Sequence, residues 1–160
     1  MLRLKKINRE NVWDILKLEV SDDQKSFVAT NGISIIEAYT AITENGYAFP
    51  FAIYEDDTPV GFLMIGFDVC DYWDDAPGIA KGNYNLWRLM IDQNYQGKGL
   101  GKKAIRLALN FINTNPCGKA EYCWLSYEAE NDVARQLYSS FGFVETGEKD
   151  GEELIAILKL

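Results

Sequence analysis

The stretch Tyr84-Asn85-Leu86-Trp87-Arg88-Leu89-Met90-Ile91-Asp92, followed shortly by Tyr95-Gln96-Gly97-Lys98-Gly99-Leu100-Gly101-Lys102, decides how the whole chain is read. The first segment is rich in large apolar residues and reads as a central strand. The second holds three glycines in five positions, which lets the backbone turn tightly and aim successive N–H groups at one point. A helix follows, from about Lys98 to Asn113, with Ile105, Ala108, Leu109 and Ile112 at helical spacing. Its N-terminus carries partial positive charge, so strand, turn and helix together make a place for an anion, most often a phosphate. Two familiar phosphate loops fail the comparison. A P-loop needs GxxxxGK followed by Ser or Thr, whereas Lys102 is followed by Lys103. The dinucleotide fingerprint is GxGxxG after a first strand, whereas GxGxG stands here late in the chain.

Charge along the sequence agrees with an anion site. No acidic residue lies between Asp92 and Glu121, while Lys98, Lys102, Lys103 and Arg106 fall on the turn and the first helical turns. The chain as a whole has 24 acids and 16 Lys and Arg, a formal net charge of -8. That balance argues against a general nucleic-acid binder and favours neutral or cationic partners. The chain has no histidine, which excludes Ser-His-Asp and Cys-His machinery, a histidine metal ligand and an imidazole base. Cys70, Cys117 and Cys123 are odd in number and lack CxxC spacing, so they read as reduced thiols, with Cys123 a core residue. The start of the chain has no signal-peptide apolar region, and no uncharged apolar run is long enough to span a bilayer. A cytoplasmic protein without membrane or nucleic-acid partners is the expectation, and no metal site is expected.

Outward from the turn, the rest of the chain reads as alternating strands and helices. Leu2 and Leu4 alternate with Arg3 and Lys5 in a short opening strand. Asn8 can cap a helix bearing Val12, Ile15, Leu16 and Leu18. Ser34 can cap a second, with Glu37 completing a capping box and Asn45-Gly46 ending it. Strands over 47–55 and 60–69 follow, joined by Asp56-Asp57-Thr58-Pro59, and a loop from Cys70 to Asn83 precedes the central strand. After the glycine turn and its helix come a strand over 121–127, a helix over 131–141, and a closing hairpin turning at Asp150-Gly151. The order β-α-α-β-β-β-α-β-α-β-β predicts one mixed α/β sheet with helices on its faces.

Two motifs carry a resemblance. Gln96-Gly97-Lys98-Gly99-Leu100-Gly101 matches the Q/R-x-x-G-x-G/A signature of the GCN5-related N-acetyltransferases, and 35 residues after Gln96 begins Asn131-Asp132-Val133-Ala134-Arg135-Gln136-Leu137-Tyr138-Ser139-Ser140-Phe141-Gly142-Phe143. The latter resembles the family's N-x-x-A-x-x-L-Y-x-x-x-G-F helix and turn. Motifs, order and separation agree over nearly the whole chain, so the resemblance implies a single N-acetyltransferase domain over residues 1–160 with the acyl-CoA N-acyltransferase fold and acetyl-CoA as co-substrate.

The resemblance further implies that the strand before the glycine turn splays from the next, leaving a slot for pantetheine. Leu89, Met90 and Ile91 would offer backbone groups there, and a hydrogen bond to the acetyl carbonyl would support the developing oxyanion. Amides from Gln96 through Gly97, Lys98, Gly99, Leu100 and Gly101 to Lys102 would hold the pyrophosphate, with Asn131 contacting the cofactor arm. Tyr138 would be the general acid for the leaving thiolate, a role suited to a phenol whose ordinary pKa is about 10. Many relatives carry a Glu where this chain has Trp87, so the base is open between Glu128 and an ordered water drained by backbone groups.

For the acceptor, Asp68, Asp71, Asp74 and Asp75 interleave with Tyr72 and Trp73 in the loop after the third strand. Acids with aromatics suit an ammonium ion, and an ordinary solvated loop explains the pattern equally well. The segment Gln24–Asn31 with Ser34, Glu37 and Tyr39, and the segment Tyr84–Asp92, are also similar to bacterial spermine/spermidine acetyltransferases. The resemblance therefore implies a small cationic amine as partner, with Asp71, Trp73, Asp74 and Glu37 as substrate-binding residues, and direct attack in a ternary complex. Other acceptors (an aminoglycoside, an amino acid, a protein N-terminus), a non-catalytic acyl-CoA sensor and a partner-binding acidic loop stay open. Homodimers are common in the superfamily, and no residue pattern in this chain demonstrates one.

Overall fold

The computed structural model describes residues 1–69 and 73–160; Cys70, Asp71 and Tyr72, and with them the substrate-binding expectation for Asp71, lie outside the described residues. Seven strands form one sheet in the order β1-β2-β3-β4-β5-β7-β6. They are β1 (Leu2–Lys6), β2 (Tyr47–Glu55), β3 (Thr58–Phe67), β4 (Tyr84–Ile91), β5 (Tyr122–Tyr127), β6 (Val144–Asp150) and β7 (Glu153–Lys159). Four α-helices join them: α1 (Val12–Leu16) and α2 (Asn31–Thr43) between β1 and β2, α3 (Leu100–Asn113) between β4 and β5, and α4 (Asp132–Ser139) between β5 and β6. The predicted element order is therefore the observed one. Among the described residues, no helix is long and apolar enough to cross a membrane.

The central strands are apolar on both faces because both faces are covered. Along β3, Phe62 and Met64 pack with Ile15 of α1 and Ala38 and Ala41 of α2, whereas Leu63 and Ile65 pack with Leu100, Ala104, Ile105, Ala108 and Ile112 of α3. This is the two-residue alternation of a strand dividing one apolar run between two layers. Each fully buried Leu or Ile adds roughly 1.5–3 kcal/mol relative to an exposed one, so α3, with five of its apolar positions buried, is pinned along its length.

Several local expectations are corrected. The first helix is shorter than its apolar stripe: the Asn8 side chain accepts from the N–H groups of Glu10 and Asn11 at 2.8 and 3.2 Å, making a turn ahead of α1 rather than capping it. The second helix is capped by Thr30, whose Oγ1 accepts from Ile33 N–H at 3.2 Å. Ser34 lies inside α2, fully buried, and Glu37 pairs with Arg88 instead of closing a capping box. The helix starts earlier because Asn31, buried at its first turn, donates its side-chain amide to the carbonyls of Ile15 and Leu18 and so ties α2 to α1. Its buried face is Ser34, Ala38 and Ala41, small residues that let the helix lie close to the sheet, while Ile33, Ile36, Tyr39 and Ile42 stay exposed. The expected end holds: Asn45 takes a φ of 61°, and Gly46 N–H reaches Ala41 O at 2.7 Å. The closing hairpin pairs Asp150 with Glu153, so its two turn residues are Gly151 and Glu152, one position later than expected, with Gly151 supplying the positive φ of 58°.

Two features of β4 shape the site. Its pairing with β3 passes from Met64–Arg88 to Ile65–Leu86, which leaves Trp87 as the extra residue of a bulge. Its parallel pairing with β5 is limited to Tyr84–Cys123 and Asn85–Trp124. Beyond Asn85 the two strands diverge, and the β5-facing edge of β4 has no neighbouring strand.

Candidate active site

The divergence of β4 and β5 opens a cleft of ≈ 1280 Å³ across the middle of the molecule. One wall is β4 from Asn85 to Ile91, continuing into the glycine turn; the opposite wall is the end of β5 with α4; and the segment Asp23–Ala29 lies along the rim. The volume exceeds that of sites for drug-sized ligands, leaving room for two substrates together.

At the turn, Gly97 and Gly99 take φ values of 77° and 71°, and a side chain at either would meet nothing within 4 Å. The left-handed backbone, rather than lack of space, is what calls for glycine there. Gly99 stands at the N-cap of α3, so the helix starts at Leu100 and not at Lys98. Among the described residues, none of the six amides from Gly97 to Lys102 donates to a protein acceptor. Six free donors, no acid nearby in sequence, and the positive end of α3 form an anion cradle. The cradle is pinned from both sides. Gln96 Nε2 donates to Ile91 O at 2.9 Å and to Gln24 Oε1 at 2.8 Å. The buried carboxylate of Asp92 accepts from Asn94 N–H and from Glu19 N–H, each at 3.0 Å. Lys98 folds over the Tyr95 ring, its Nζ 5.2 Å from the centroid, and Lys102 lines the cleft.

Across the cleft, Asn131 caps α4 by accepting from Ala134 N–H at 3.2 Å, which leaves its NH2 group free to donate. Tyr138, on the inner side of α4, stacks on Tyr127 with ring centroids 5.9 Å apart and meets Phe143 edge-on at 5.9 Å. Burial, reinforced by the neighbouring Cys123, Glu153 and Tyr127, pushes the Tyr138 phenol above its usual range, so it holds its proton at any physiological pH. Tyr127 is raised to about 12, chiefly by burial and by donating to Glu145 Oε1 at 2.7 Å. Ser126 donates to Glu153 Oε2 at 2.6 Å. Cys123 is sealed behind these residues and pushed up to about 12 by burial, which keeps its thiol inert.

The remaining wall is aromatic. Trp87, turned out by the bulge, stacks on Trp73 at 6.0 Å and 12°, and Trp73 meets Trp124 at 5.8 Å. Beside them Arg88 donates to Glu37 Oε2 at 2.9 Å and to Trp87 O at 3.0 Å.

Of the residues picked out from sequence, the cleft brings together Leu89, Met90, Ile91, Gln96, Gly97, Gly99, Leu100, Gly101, Lys102, Asn131, Tyr138, Glu37 and Trp73. Lys98 contributes its backbone to the cradle but its side chain lies on Tyr95. Glu128 does not line the cleft; its carbonyl accepts from Asn131 N–H at 3.0 Å and closes the turn into α4. Asp74 lines a separate shallow cavity with Val69, Pro77 and Lys81. Sequence reading missed Trp87 as an aromatic wall, Arg88 as the partner of Glu37, and the pair Ser126–Glu153. None has a local signal, since each depends on strand register or on the bulge.

Comparison with known proteins agrees with the geometry. The model of the acetyltransferase (GNAT) family matches residues 9–143. The chain is 32% identical over 156 residues to a spermine/spermidine N(1)-acetyltransferase of Bacillus subtilis (strain 168) and, equally, to a probable spermine N(1)-acetyltransferase of Bacillus subtilis subsp. natto, in both cases over 96% of each chain. Solved structures with the same fold include the aminoglycoside acetyltransferase AAC(6')-Ib in complex with coenzyme A (TM-score 0.76, 14% identity, 99% of this chain and 95% of that one). Another is the PaiA N-acetyltransferase of Thermoplasma acidophilum in complex with coenzyme A (TM-score 0.68, 15% identity, 100% and 99%). With its splayed central strands, its cradle of free amides and a family match across most of its length, the chain belongs to the GNAT family of acetyl-CoA-dependent N-acetyltransferases.

Proposed function

We propose that this enzyme transfers the acetyl group of acetyl-CoA to a primary amine of a polyamine of the spermine or spermidine class, by direct attack in a ternary complex. The observation that carries the acceptor is the charge of the cleft taken with its aromatic wall. Six carboxylate residues line it against three cationic ones, beside the stacked indoles of Trp73 and Trp87. Carboxylates attract an extended polycation, and indole faces hold ammonium and methylene groups alike. The two Bacillus relatives, named for spermine and spermidine, support the same acceptor.

The roles follow from the chemistry of each group. The amides of Gly97 to Lys102 and the Lys102 ammonium bind the pyrophosphate, since they are donors without protein acceptors. The open edge of β4 at Leu89, Met90 and Ile91 supplies backbone partners for the pantetheine amides, and Asn131 donates from the other side. Bound acetyl-CoA supplies an activated acyl group with a thiolate leaving group. Tyr138 is the acid that protonates that sulfur; a phenol kept above its usual range enters the step protonated. Glu37, held by Arg88, and Trp73 bind the distal part of the amine.

The test is CoA-thiol release with acetyl-CoA against a panel: spermine, spermidine, an aminoglycoside, an amino acid, a peptide N-terminus and a neutral-flanked monoamine. Spermine and spermidine are expected to give the highest kcat/KM. Equal or better turnover of the monoamine would overturn the polyamine reading, and acetyl-CoA binding without release for any amine would make the protein a sensor.

A further inference from the structure

A protonated amine must lose a proton before it can attack, and among the described residues the β4 wall of the cleft carries no carboxylate to take it. Position 87 is an indole, Glu37 is engaged by Arg88, and Glu128 does not line the cleft. The β5 wall is different. Leu154 pairs with Tyr127, the last residue of β5, so Glu153 sits just beyond the end of that strand, where β4 and β5 stand apart. Ser126 and Glu153 both line the cleft and are joined by the 2.6 Å hydrogen bond from Ser126 Oγ to Glu153 Oε2. That bond occupies one carboxylate oxygen and leaves Oε1 without a protein donor among the described residues. Tyr138 stacks on Tyr127, whose side chain lies on the opposite face of β5 from Ser126, so acid and carboxylate approach the cleft from its two sides. Among the carboxylates lining the cleft, Glu153 is the one whose charge acts on the Tyr138 phenol.

We propose that Glu153, oriented by Ser126, is the carboxylate that takes the proton from the attacking amine. The assignment rests on the acetyltransferase reading above, in which Tyr138 protonates sulfur. An amine attacks the carbonyl carbon that bears that sulfur, so nitrogen and sulfur come to share one carbon and acid and base must both reach that small volume. Glu153 accepts one proton from the ammonium, and the freed nitrogen lone pair forms the new bond to the carbonyl carbon. Tyr138 gives its proton to sulfur as the carbon–sulfur bond breaks with its pair on sulfur. The second proton lost by nitrogen restores the phenol, and the proton on Glu153 passes to solvent. Ammonium and thioester thus become amide, thiol and one released proton. The titratable groups around Glu153 are Asp150 directly across the hairpin, Lys149 beside it on β6 and paired with Glu152 at the turn, Tyr127 on β5, and Tyr138 on α4; Glu145 and Arg135 are engaged with each other and with Tyr127.

The experiment compares E153Q, S126A and S126T with wild type, using whichever panel amine the wild type acetylates best, so that failure of the polyamine reading leaves it intact. E153Q is expected to lower kcat about 100-fold or more near neutral pH. The deficit should shrink as pH approaches the amine's own pKa, where free amine is already present, with KM for acetyl-CoA unchanged. S126A should show a smaller loss of the same pH form, restored by S126T, and the exposed tip variant E152Q should behave as wild type. A loss in E153Q that is under about 3-fold, or equal at every pH, overturns the assignment, as does the pH-dependent loss appearing in D150N in place of E153Q. Should E153Q fail to melt cooperatively, S126A decides alone: without a pH-dependent loss there, the proposal falls.

Discussion

At the scale of single residues, Tyr138 shows how one side chain's surroundings suit it to a task. On an amphipathic helix it has the appearance of a core aromatic, and it does pack against Tyr127 and Phe143. Yet, among the described residues, its hydroxyl has no protein partner, and burial holds the phenol above its normal range. Tyr138 is only partly buried and lines the cleft, so that hydroxyl is open to whatever occupies it. Removal of that oxygen should therefore affect turnover more than packing. Tyr138→Phe is expected to lower kcat by about 100-fold or more, while the Kd for acetyl-CoA and the melting temperature stay close to wild type. Unchanged kcat in the same measurement would remove Tyr138 from the reaction.

At the scale of elements, the β6–β7 hairpin is built against its own charge. Asp150 and Glu153 stand directly opposite each other next to the turn, and like charges in that relation repel. Burial raises the Asp150 carboxyl above its ordinary value of 3.8. A carboxylate raised in the fold favours the native state below its unfolded value, and that contribution is lost as pH rises through the folded value. Wild type thus carries a cost at neutral pH that it does not carry in acid. D150N should melt at higher temperature than wild type near neutral pH, with the gain shrinking as pH falls toward 4; equal melting at both ends would refute this. Both carboxylates line the cleft.

At the scale of the whole molecule, charge is divided by location. The acid-free run from Gln93 to Ala120 includes the anion cradle, while the other walls of the cleft carry the carboxylates. Open to solvent, those carboxylates act through a screened field. At saturating acetyl-CoA, raising salt from about 50 to 500 mM should increase KM for spermidine several-fold and leave that of a neutral-flanked monoamine nearly constant. Parallel responses of the two amines would show that charge does not select the acceptor.

Element order, the left-handed glycine turn and the helix that carries Tyr138 to the cleft were legible along the chain because each depends on neighbours within a few residues. Glycines at 97 and 99 dictate a left-handed turn wherever it sits, and Asn131 caps the helix that follows it whatever the sheet does. Local chemistry also misled where long-range contacts took over. Ser34 had the signature of a cap, but Asn31 was needed to hold the end of α1, so the helix began earlier. The walls of the cleft belong to the second kind. The bulge that turns Trp87 onto Trp73, the ion pair of Arg88 with Glu37 across 51 residues, and the bond from Ser126 to Glu153 across 27 exist only once strand register is set. Register comes from the simultaneous packing of both sheet faces, a property of the folded molecule that no short window of sequence contains.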